Sequence, residues 1–220
     1  MPPRPLTSAR KGAPKGSATS AVIFLHGYGA NGADLLGLAD PLAPHLKGTA
    51  FYAPDAPENC QGNPFGFQWF PIPWLDGSSE EAAKAGAEQA RADIDAFIDK
   101  VLAEEGLAPS ALALVGFSQG TMMSLATAPR RAEPIAAVVG FSGRLLEKDM
   151  ADWIVSKPPV LLIHGDADPM VPVQSLPEAA DALTRAGVET YAHVCKGLGH
   201  SIDNEGLSLA LGFLHEKLPH

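Results

Sequence analysis

The sequence is poor in cysteine. It contains two, Cys60 and Cys195, in 220 residues, and neither lies in a C-x-x-C or other metal-like spacing. Two cysteines are too few for the disulfide framework of a small secreted domain. We therefore interpret both as small buried hydrophobic side chains, and we expect no metal site.

The sequence also lacks long hydrophobic runs. The first residues, MPPRPLTSARKGAPKGS, are rich in proline and polar residues and do not resemble a signal peptide. No apolar run reaches the roughly 18 residues that a membrane-spanning helix needs. These features predict a cytoplasmic protein without stable membrane insertion.

Basic residues are few outside the first twenty positions. The formal net charge is −9, and residues 1–20 contain four basic residues and no acidic one, so the remainder has a net charge of −13. Such a body repels nucleic-acid phosphates and anionic membranes, and we expect no nucleic-acid partner. We expect the basic segment 1–20 to be a flexible lead-in, with a short edge strand near Leu6.

What the chain does contain is a regular alternation of short apolar runs and helical patterns. The apolar runs are nearly continuous, which is typical of strands covered on both faces. They lie at 21–27, 49–54, 111–117, 135–141, 159–165 and 190–195. The helical patterns lie at 34–46, 79–105, 119–128, 174–186 and 204–217. This alternation predicts an α/β fold with a mostly parallel sheet, in one domain over residues 21–220.

One segment, residues 57–79, interrupts this pattern. Long loops inside compact domains are usually functional or disordered, and aromatic residues argue against disorder. We expect the segment to pack down as a plug, to line an apolar substrate groove, or both, and its aromatic part at 65–74 could also form the contact of a homodimer. Its aromatic residues are Phe65, Phe67, Trp69, Phe70 and Trp74.

Two apolar runs end in the same three residues, Gly-Phe-Ser. The first, GFSQG at 116–120, matches the G-x-S-x-G motif of a strained strand-to-helix turn that exposes a nucleophile. In the second, Arg144 occupies the position two residues after Ser142, where the motif requires glycine. A clear helical pattern follows Ser118, and a helix N-terminus presents backbone N–H groups to a developing oxyanion. Ser118 is therefore the candidate nucleophile, and we expect Ser142 to have a structural role.

A serine nucleophile needs a base, and the base needs an orienting carboxylate. In α/β-hydrolases the chain order is serine, acid, histidine. The acids at a downstream strand end are Asp166 and Asp168, whereas His164 precedes them. Among the downstream histidines, His200 lies on a glycine-flanked loop before a helix and is the candidate base.

Four stretches in this order resemble the phospholipase/carboxylesterase family of α/β-hydrolases, which includes the acyl-protein thioesterases. They are FLHGYGANGADL, GFSQG, HGDADPMVP and GLGHSID, and the resemblance spans about residues 20 to 217. It implies an α/β-hydrolase fold with helices on both faces of the sheet. It also implies a serine carboxylesterase that needs no cofactor and that hydrolyses small-molecule esters, with short to medium acyl chains, through an acyl-enzyme.

The resemblance also implies roles for individual residues. It makes Asp168, the aspartate directly before proline, the acid. The nucleophile is Ser118 and the base is His200. The oxyanion donors are the backbone N–H groups of Tyr28 and Gln119. The substrate-binding aromatic residues are Trp69 and Phe70, to which we add Trp74.

Two alternatives stay open at this point. The first is an acyl-protein thioesterase or a lysophospholipase, although Pro71 replaces an acidic residue of many family members and Thr121 replaces a glycine common in the thioesterases. The second is a binding protein on the hydrolase scaffold, which would have no need to keep a complete triad.

Overall fold

A central sheet of seven strands organises the part of the chain that our computed structural model describes, residues 2–60, 63–150 and 152–219. The strands lie in the order β1-β3-β2-β6-β7-β8-β9. All neighbours are parallel except β1, which is antiparallel to β3. The strands are β1 Ser8–Gly12, β2 Ser20–Leu25, β3 Thr49–Pro54, β6 Leu112–Phe117, β7 Ala137–Phe141, β8 Val160–Gly165 and β9 Thr190–Cys195. A separate antiparallel pair consists of β4 Glu58–Asn59 and β5 Phe67–Gln68.

Helices cover both faces of this sheet, which confirms the predicted fold class. They are α1 Gly32–Leu36, α2 Ala39–Leu42, α3 Pro73–Asp76, α4 Glu80–Glu105, α5 Gln119–Thr127, α6 Ser175–Arg185 and α7 Asn204–Lys217. One apolar core joins the sheet to α4, α5 and α6, and a second joins its other face to α1, α2 and α7. Burial on both faces explains the continuous apolar runs of β2, β3, β6, β7 and β8. The prediction of a buried strand at 190–195 is wrong, because β9 lies at the edge of the sheet and exposes Tyr191 and Val194. Among the described residues, no helix is long and apolar enough to span a membrane.

The longest helix, α4, has the ends that the sequence predicts. The Ser79 side chain accepts a hydrogen bond from the Ala82 amide at 3.1 Å, and Gly106 ends the helix with a left-handed φ of 68°. The helix that the sequence predicts over 34–46 is wrong as a single element, because it is divided into α1 and α2. Pro41 has no N–H to offer the carbonyl of Gly37, so a continuous helix is unfavourable there.

The basic N-terminal segment makes contacts that a flexible lead-in would not make. Its edge strand is β1, which begins at Ser8 rather than near Leu6. Arg4 donates through Nε to Asp93 at 2.8 Å, and Arg10 donates through Nε to Glu105 at 2.8 Å. Both carboxylates belong to α4 and have no solvent exposure. Because buried carboxylates are costly without cationic partners, these contacts tie the segment to α4.

Glu105 is the more closely coordinated of these two carboxylates. Burial opposes its ionisation, but hydrogen bonds from the Tyr52 hydroxyl, the Gly16 amide and Arg10 outweigh burial and lower the pKa of Glu105. Burial, together with the hydrogen bond to Glu105, raises the pKa of Tyr52 to about 12. A carboxylate with a depressed pKa in the folded state stabilises the fold above its unfolded pKa of roughly 4.3, and this contribution is lost as the pH falls through the folded value.

We expect Glu105→Gln to reduce the free energy of unfolding at neutral pH by about 1–3 kcal/mol, because the variant removes a buried charge from Arg10 and Tyr52. The difference from wild type should shrink below about pH 4, where wild-type Glu105 also becomes protonated. Urea unfolding at a series of pH values measures this difference. Glu104→Gln, which removes the adjacent exposed carboxylate, is the control. A difference in the free energy of unfolding that stays constant down to acidic pH would contradict the stabilising role of the ionised Glu105 side chain.

Candidate active site

The residues that the sequence singles out meet at the carboxyl edge of the parallel sheet. Ser118 follows β6, Tyr28 follows β2, and Asp168 follows β8. His200 lies on the loop between β9 and α7. Carboxyl ends of parallel strands share one edge of the sheet, and this edge is where α/β folds place their ligands.

Ser118 occupies a strained turn between β6 and α5. Its φ is 54° and its ψ is −115°, a conformation that is rare for a residue with a side chain. The turn depends on its two glycines, since a Cβ at Gly116 would overlap the Thr121 amide and a Cβ at Gly120 would overlap the Leu25 carbonyl. Ser118 is partly exposed and immediately precedes the first residue of α5. The geometry is that of the turn predicted from G-x-S-x-G.

Asp168 and His200 form a direct hydrogen bond. His200 Nδ1 lies 2.7 Å from Asp168 Oδ2, and the Asp168 side chain has no solvent exposure. Asp168 Oδ1 also accepts the amides of Met170 and Val171 at 2.8 and 2.9 Å. Burial opposes ionisation, but the hydrogen bonds from Val171, His200 and Met170 outweigh it and lower the pKa of Asp168. The side chain therefore stays a carboxylate that orients the imidazole.

Asp166 and Asp168 have different surroundings in the structure. Sequence reasoning alone did not choose between them. Asp166 accepts the Gly197 amide at 2.6 Å and shapes the loop that precedes His200. Asp168 is the one that contacts the imidazole, as the family resemblance implies.

A second histidine contacts the same carboxylate, and sequence reasoning did not assign it a role. His164 Nε2 lies 3.4 Å from Asp168 Oδ2 and 2.9 Å from the Val171 carbonyl oxygen. The side chain is 1% exposed. Its place at the end of β8, four residues before the aspartate, is the signal that could have identified it. It helps to hold the segment between Asp168 and Val171 in position.

The structure brings His200 next to the nucleophile strand, but among the described residues no hydrogen bond joins its imidazole to Ser118. The His200 ring packs against Phe117, with ring centroids 4.8 Å apart. His200 Nε2 has no hydrogen-bond partner in the described part of the chain. Nucleophile–base hydrogen bonds are often long in ligand-free enzymes and tighten when the substrate binds.

The two predicted oxyanion donors lie on either side of Ser118. Gln119 is the first residue of α5, where the backbone N–H has no partner within the helix. Tyr28 follows Gly27, and a Cβ on Gly27 would lie 3.3 Å from the Ser118 Cβ, so the Tyr28 segment passes close to the nucleophile. In the described residues neither amide donates a backbone hydrogen bond. Both are free to donate to a negatively charged oxygen.

The side chain of Gln119 has a role that the sequence did not indicate. It is fully buried, its Oε1 accepts the Trp69 amide at 2.8 Å, and its Nε2 donates to the Phe70 carbonyl at 2.8 Å. Nothing in the motif distinguishes this glutamine from any other residue between serine and glycine. The pair of hydrogen bonds fixes the aromatic segment to the turn that holds the nucleophile.

Trp69, which the resemblance suggests as a substrate contact, is fully buried in the structure. Its indole Nε1 donates to the His26 carbonyl at 2.9 Å, and its ring lies 5.3 Å from the His26 ring. Burial lowers the pKa of His26, whose Nδ1 pairs with the Gly27 carbonyl while Nε2 accepts the Ala56 amide. We therefore assign Trp69 to the support of the loop that contains Tyr28, because no part of it reaches solvent.

Residues 70–74 of this segment form one wall of a cavity of about 490 Å³. Phe70 and Trp74 line this cavity, opposite Met122 of α5. The segment is not a structureless loop, because Phe67 in β5 exchanges backbone hydrogen bonds with Gly29 and Ala30. The segment therefore acts both as a plug, through Trp69, and as a cavity wall.

Ser142 differs from Ser118 in its surroundings although both have positive φ values, 47° and 54°. It is 1% exposed, its amide donates to the Ile163 carbonyl, and among the described residues no helix begins directly after it. It has no helix N-terminus behind it to stabilise a negative charge, and its hydroxyl is not open to solvent.

One other group of side chains has the composition of a metal site. His193, Cys195 and Glu205 have ligand atoms within 4.8 Å of one another. However, burial and the neighbouring Asp203 raise the pKa of Cys195 to about 11, and His193 pairs with Glu205 at 2.8 Å. A thiol with a raised pKa, beside a histidine already hydrogen-bonded to Glu205, is a poor metal ligand, so we assign no metal there. Both cysteines are buried, which confirms the interpretation made from the sequence.

Comparisons with known proteins agree with this geometry. The esterase YpfH of Escherichia coli is 30% identical over 211 residues, which are 94% of this chain and 86% of that protein. Acyl-protein thioesterase 1 homolog 1 of Dictyostelium discoideum is 29% identical, over 91% of this chain and 92% of that protein. The crystal structure of esterase PE8 superposes with a TM-score of 0.92 at 43% identity, over 98% of this chain and 100% of that one.

The family profile described as Phospholipase/Carboxylesterase matches residues 9–218, which is nearly the whole chain. The sheet order, the turn at Ser118 and the Asp168–His200 pair all lie inside this range. The chain belongs to the phospholipase/carboxylesterase family.

Proposed function

We propose that this protein is a serine carboxylesterase that hydrolyses small-molecule carboxylic esters through an acyl-enzyme on Ser118. The observation that supports this best is the hydrogen bond between buried Asp168 and His200 beside a strained, partly exposed serine. A binding protein would have no use for this combination of a strained nucleophile turn, a coordinated carboxylate and two free amides.

In the proposed mechanism, Ser118 Oγ attacks the ester carbonyl while His200 Nε2 accepts the hydroxyl proton. Asp168 keeps the Nδ1 proton of His200 in place and stabilises the imidazolium. The backbone N–H groups of Gln119 and Tyr28 donate to the oxyanion. His200 then protonates the leaving alkoxide, and an activated water hydrolyses the acyl-enzyme by the same steps in reverse.

The acyl-protein thioesterase alternative has the support of the Dictyostelium relative, whose name states that activity. The lining of the cavity argues against binding of a long lipid chain, because it includes charged side chains as well as apolar ones. Glu80 and Glu147 are two of these charged residues. Nitrophenyl esters of increasing acyl length separate the two functions. A maximum at short to medium chains fits the carboxylesterase, and a maximum at about sixteen carbons would identify the thioesterase or lysophospholipase.

We expect Ser118→Ala to lower kcat by about three to six orders of magnitude, because no other group replaces the nucleophile. Ser142→Ala is the matched control, since Ser142 ends the neighbouring strand with the same three residues and a similar φ. Fluorophosphonate should label wild type and Ser142→Ala but not Ser118→Ala. Labelling that persists in Ser118→Ala would show a different nucleophile.

We expect kcat/KM to fall with a slope of one as the pH is lowered, because a single proton on His200 removes the base. The depressed pKa of Asp168 keeps that carboxylate ionised over the same range, so it adds no second step. A pH–rate profile between about pH 5 and 8 measures the slope. A flat profile would exclude His200 as the base, and a slope of two would show that a second group titrates.

A further inference from the structure

The cavity beside Phe70 begins next to the nucleophile. Met122, in its wall, donates its amide to the Ser118 carbonyl at 3.2 Å and so lies one helical turn along α5. Arg144, also in the wall, follows Gly143, where a Cβ would lie 3.1 Å from the Ser118 carbonyl oxygen. Two parts of the cavity wall therefore lie close to the backbone of Ser118, which is not itself a lining residue.

The cavity and the base lie on opposite faces of the sheet. The cavity is built on α4 and α5, which belong to one apolar core. His200 packs on Phe117 and follows Leu198, and these two side chains pack against the other core. Because His200 protonates the leaving alkoxide, the alcohol part of the ester lies on the His200 side. The acyl part of the ester therefore binds in the cavity. This placement rests on the proposed function, because it uses the role of His200 in ester hydrolysis.

The inner surface of the cavity is apolar and its rim is charged. The apolar surface suits the methylene groups of an acyl chain, and it consists of Phe70, Ile72, Met122, Ala126 and Leu146. At the rim, Glu88 pairs with Arg91 at 3.1 Å and Glu147 pairs with Arg130 at 2.8 Å. Glu80 lies in the first turn of α4, where the helix N-terminus stabilises a carboxylate.

Two rim cations remain without a carboxylate partner, Arg144 and Lys84. Within the described ranges, neither side chain makes a salt bridge or a hydrogen bond to another residue. The Arg144 guanidinium lies over the Trp74 ring, 5.4 Å from its centroid. This contact restrains the guanidinium by one face and leaves its N–H groups free, in the planar arrangement that matches a carboxylate.

We infer that the cavity selects acyl groups that end in a carboxylate, so that the preferred substrates are half-esters of dicarboxylic acids. The methylene groups lie on the apolar surface, and Arg144 and Lys84 bind the terminal carboxylate. The rest of the protein body is strongly acidic, with a net charge of −13 beyond residue 20, and repels anions. Among the described lining residues, Arg144 and Lys84 are cations without a salt-bridge partner and Glu80 is a carboxylate without one, so two unmatched positive charges outweigh one negative charge at this rim.

Two esters with equal chain lengths test this inference. Mono(4-nitrophenyl) adipate and 4-nitrophenyl hexanoate differ in that a carboxylate replaces the terminal methyl group. We expect wild type to favour the adipate half-ester in kcat/KM by about tenfold, mainly through a lower KM, and we expect sodium chloride to reduce the preference. Arg144→Gln and Lys84→Gln should each reduce the ratio of the two kcat/KM values by about threefold or more.

For each variant, kcat/KM for the adipate half-ester is divided by kcat/KM for the hexanoate of the same variant. A general loss of activity lowers both values and leaves their ratio unchanged. Lys100→Gln is the charge-matched control, because Lys100 lies on the same helix as Lys84 but away from the cavity. It should leave the ratio unchanged. If Arg144→Gln does not fold, Lys84→Gln and the salt dependence of wild type provide the same comparison.

The outcomes separate the two proposals. If wild type hydrolyses the hexanoate but shows no preference for the half-ester, or a preference that neither salt nor the cavity variants reduce, the inference is overturned and the esterase remains. If wild type hydrolyses neither ester, the proposed function fails and the inference fails with it.

Discussion

The close backbone approach at the nucleophile turn is the constraint on which the rest of the site depends. Gly120 lies against the Leu25 carbonyl at the end of β2, and a Cβ there would overlap that oxygen. This contact joins the nucleophile strand, helix α5 and the loop that contains Tyr28. Because neither backbone is able to move away without breaking the sheet, Ser118 is held in a strained conformation and two amides stay close to it.

A chain of hydrogen bonds extends this rigidity to the aromatic segment. Gln119 binds the backbone of Trp69 and Phe70, and the Trp69 indole binds the His26 carbonyl. The nucleophile turn, the oxyanion loop and the cavity wall are therefore fixed relative to one another. Buried polar networks of this kind are stable when every member has a partner, and they keep catalytic groups in one geometry.

A buried negative charge lies at the triad, and an unpaired positive charge lies at the cavity rim. At the triad, hydrogen bonds from Val171, His200 and Met170 outweigh burial and keep Asp168 ionised beside His200. At the cavity rim, Arg144 stacks on Trp74 and has no carboxylate partner among the described residues. The net negative charge beyond residue 20 repels anions in general, so the proposed preference for a terminal carboxylate depends on Arg144 and Lys84 at the cavity rim.

Periodicity and the glycine requirement of a strained turn are local properties, so the amino-acid sequence predicted the alternation of strands and helices, the candidate nucleophile and the candidate base. It also separated Ser118 from Ser142, since one position, Gly120 against Arg144, decides whether the turn is possible. Sequence reasoning without the resemblance did not choose between Asp166 and Asp168. Only the tertiary structure showed the buried roles of Gln119 and Trp69, the contact of His164 with Asp168, and the unpaired state of Arg144. These features depend on crossovers that bring distant segments together at one edge of the sheet, and no local pattern encodes which partner each side chain meets there.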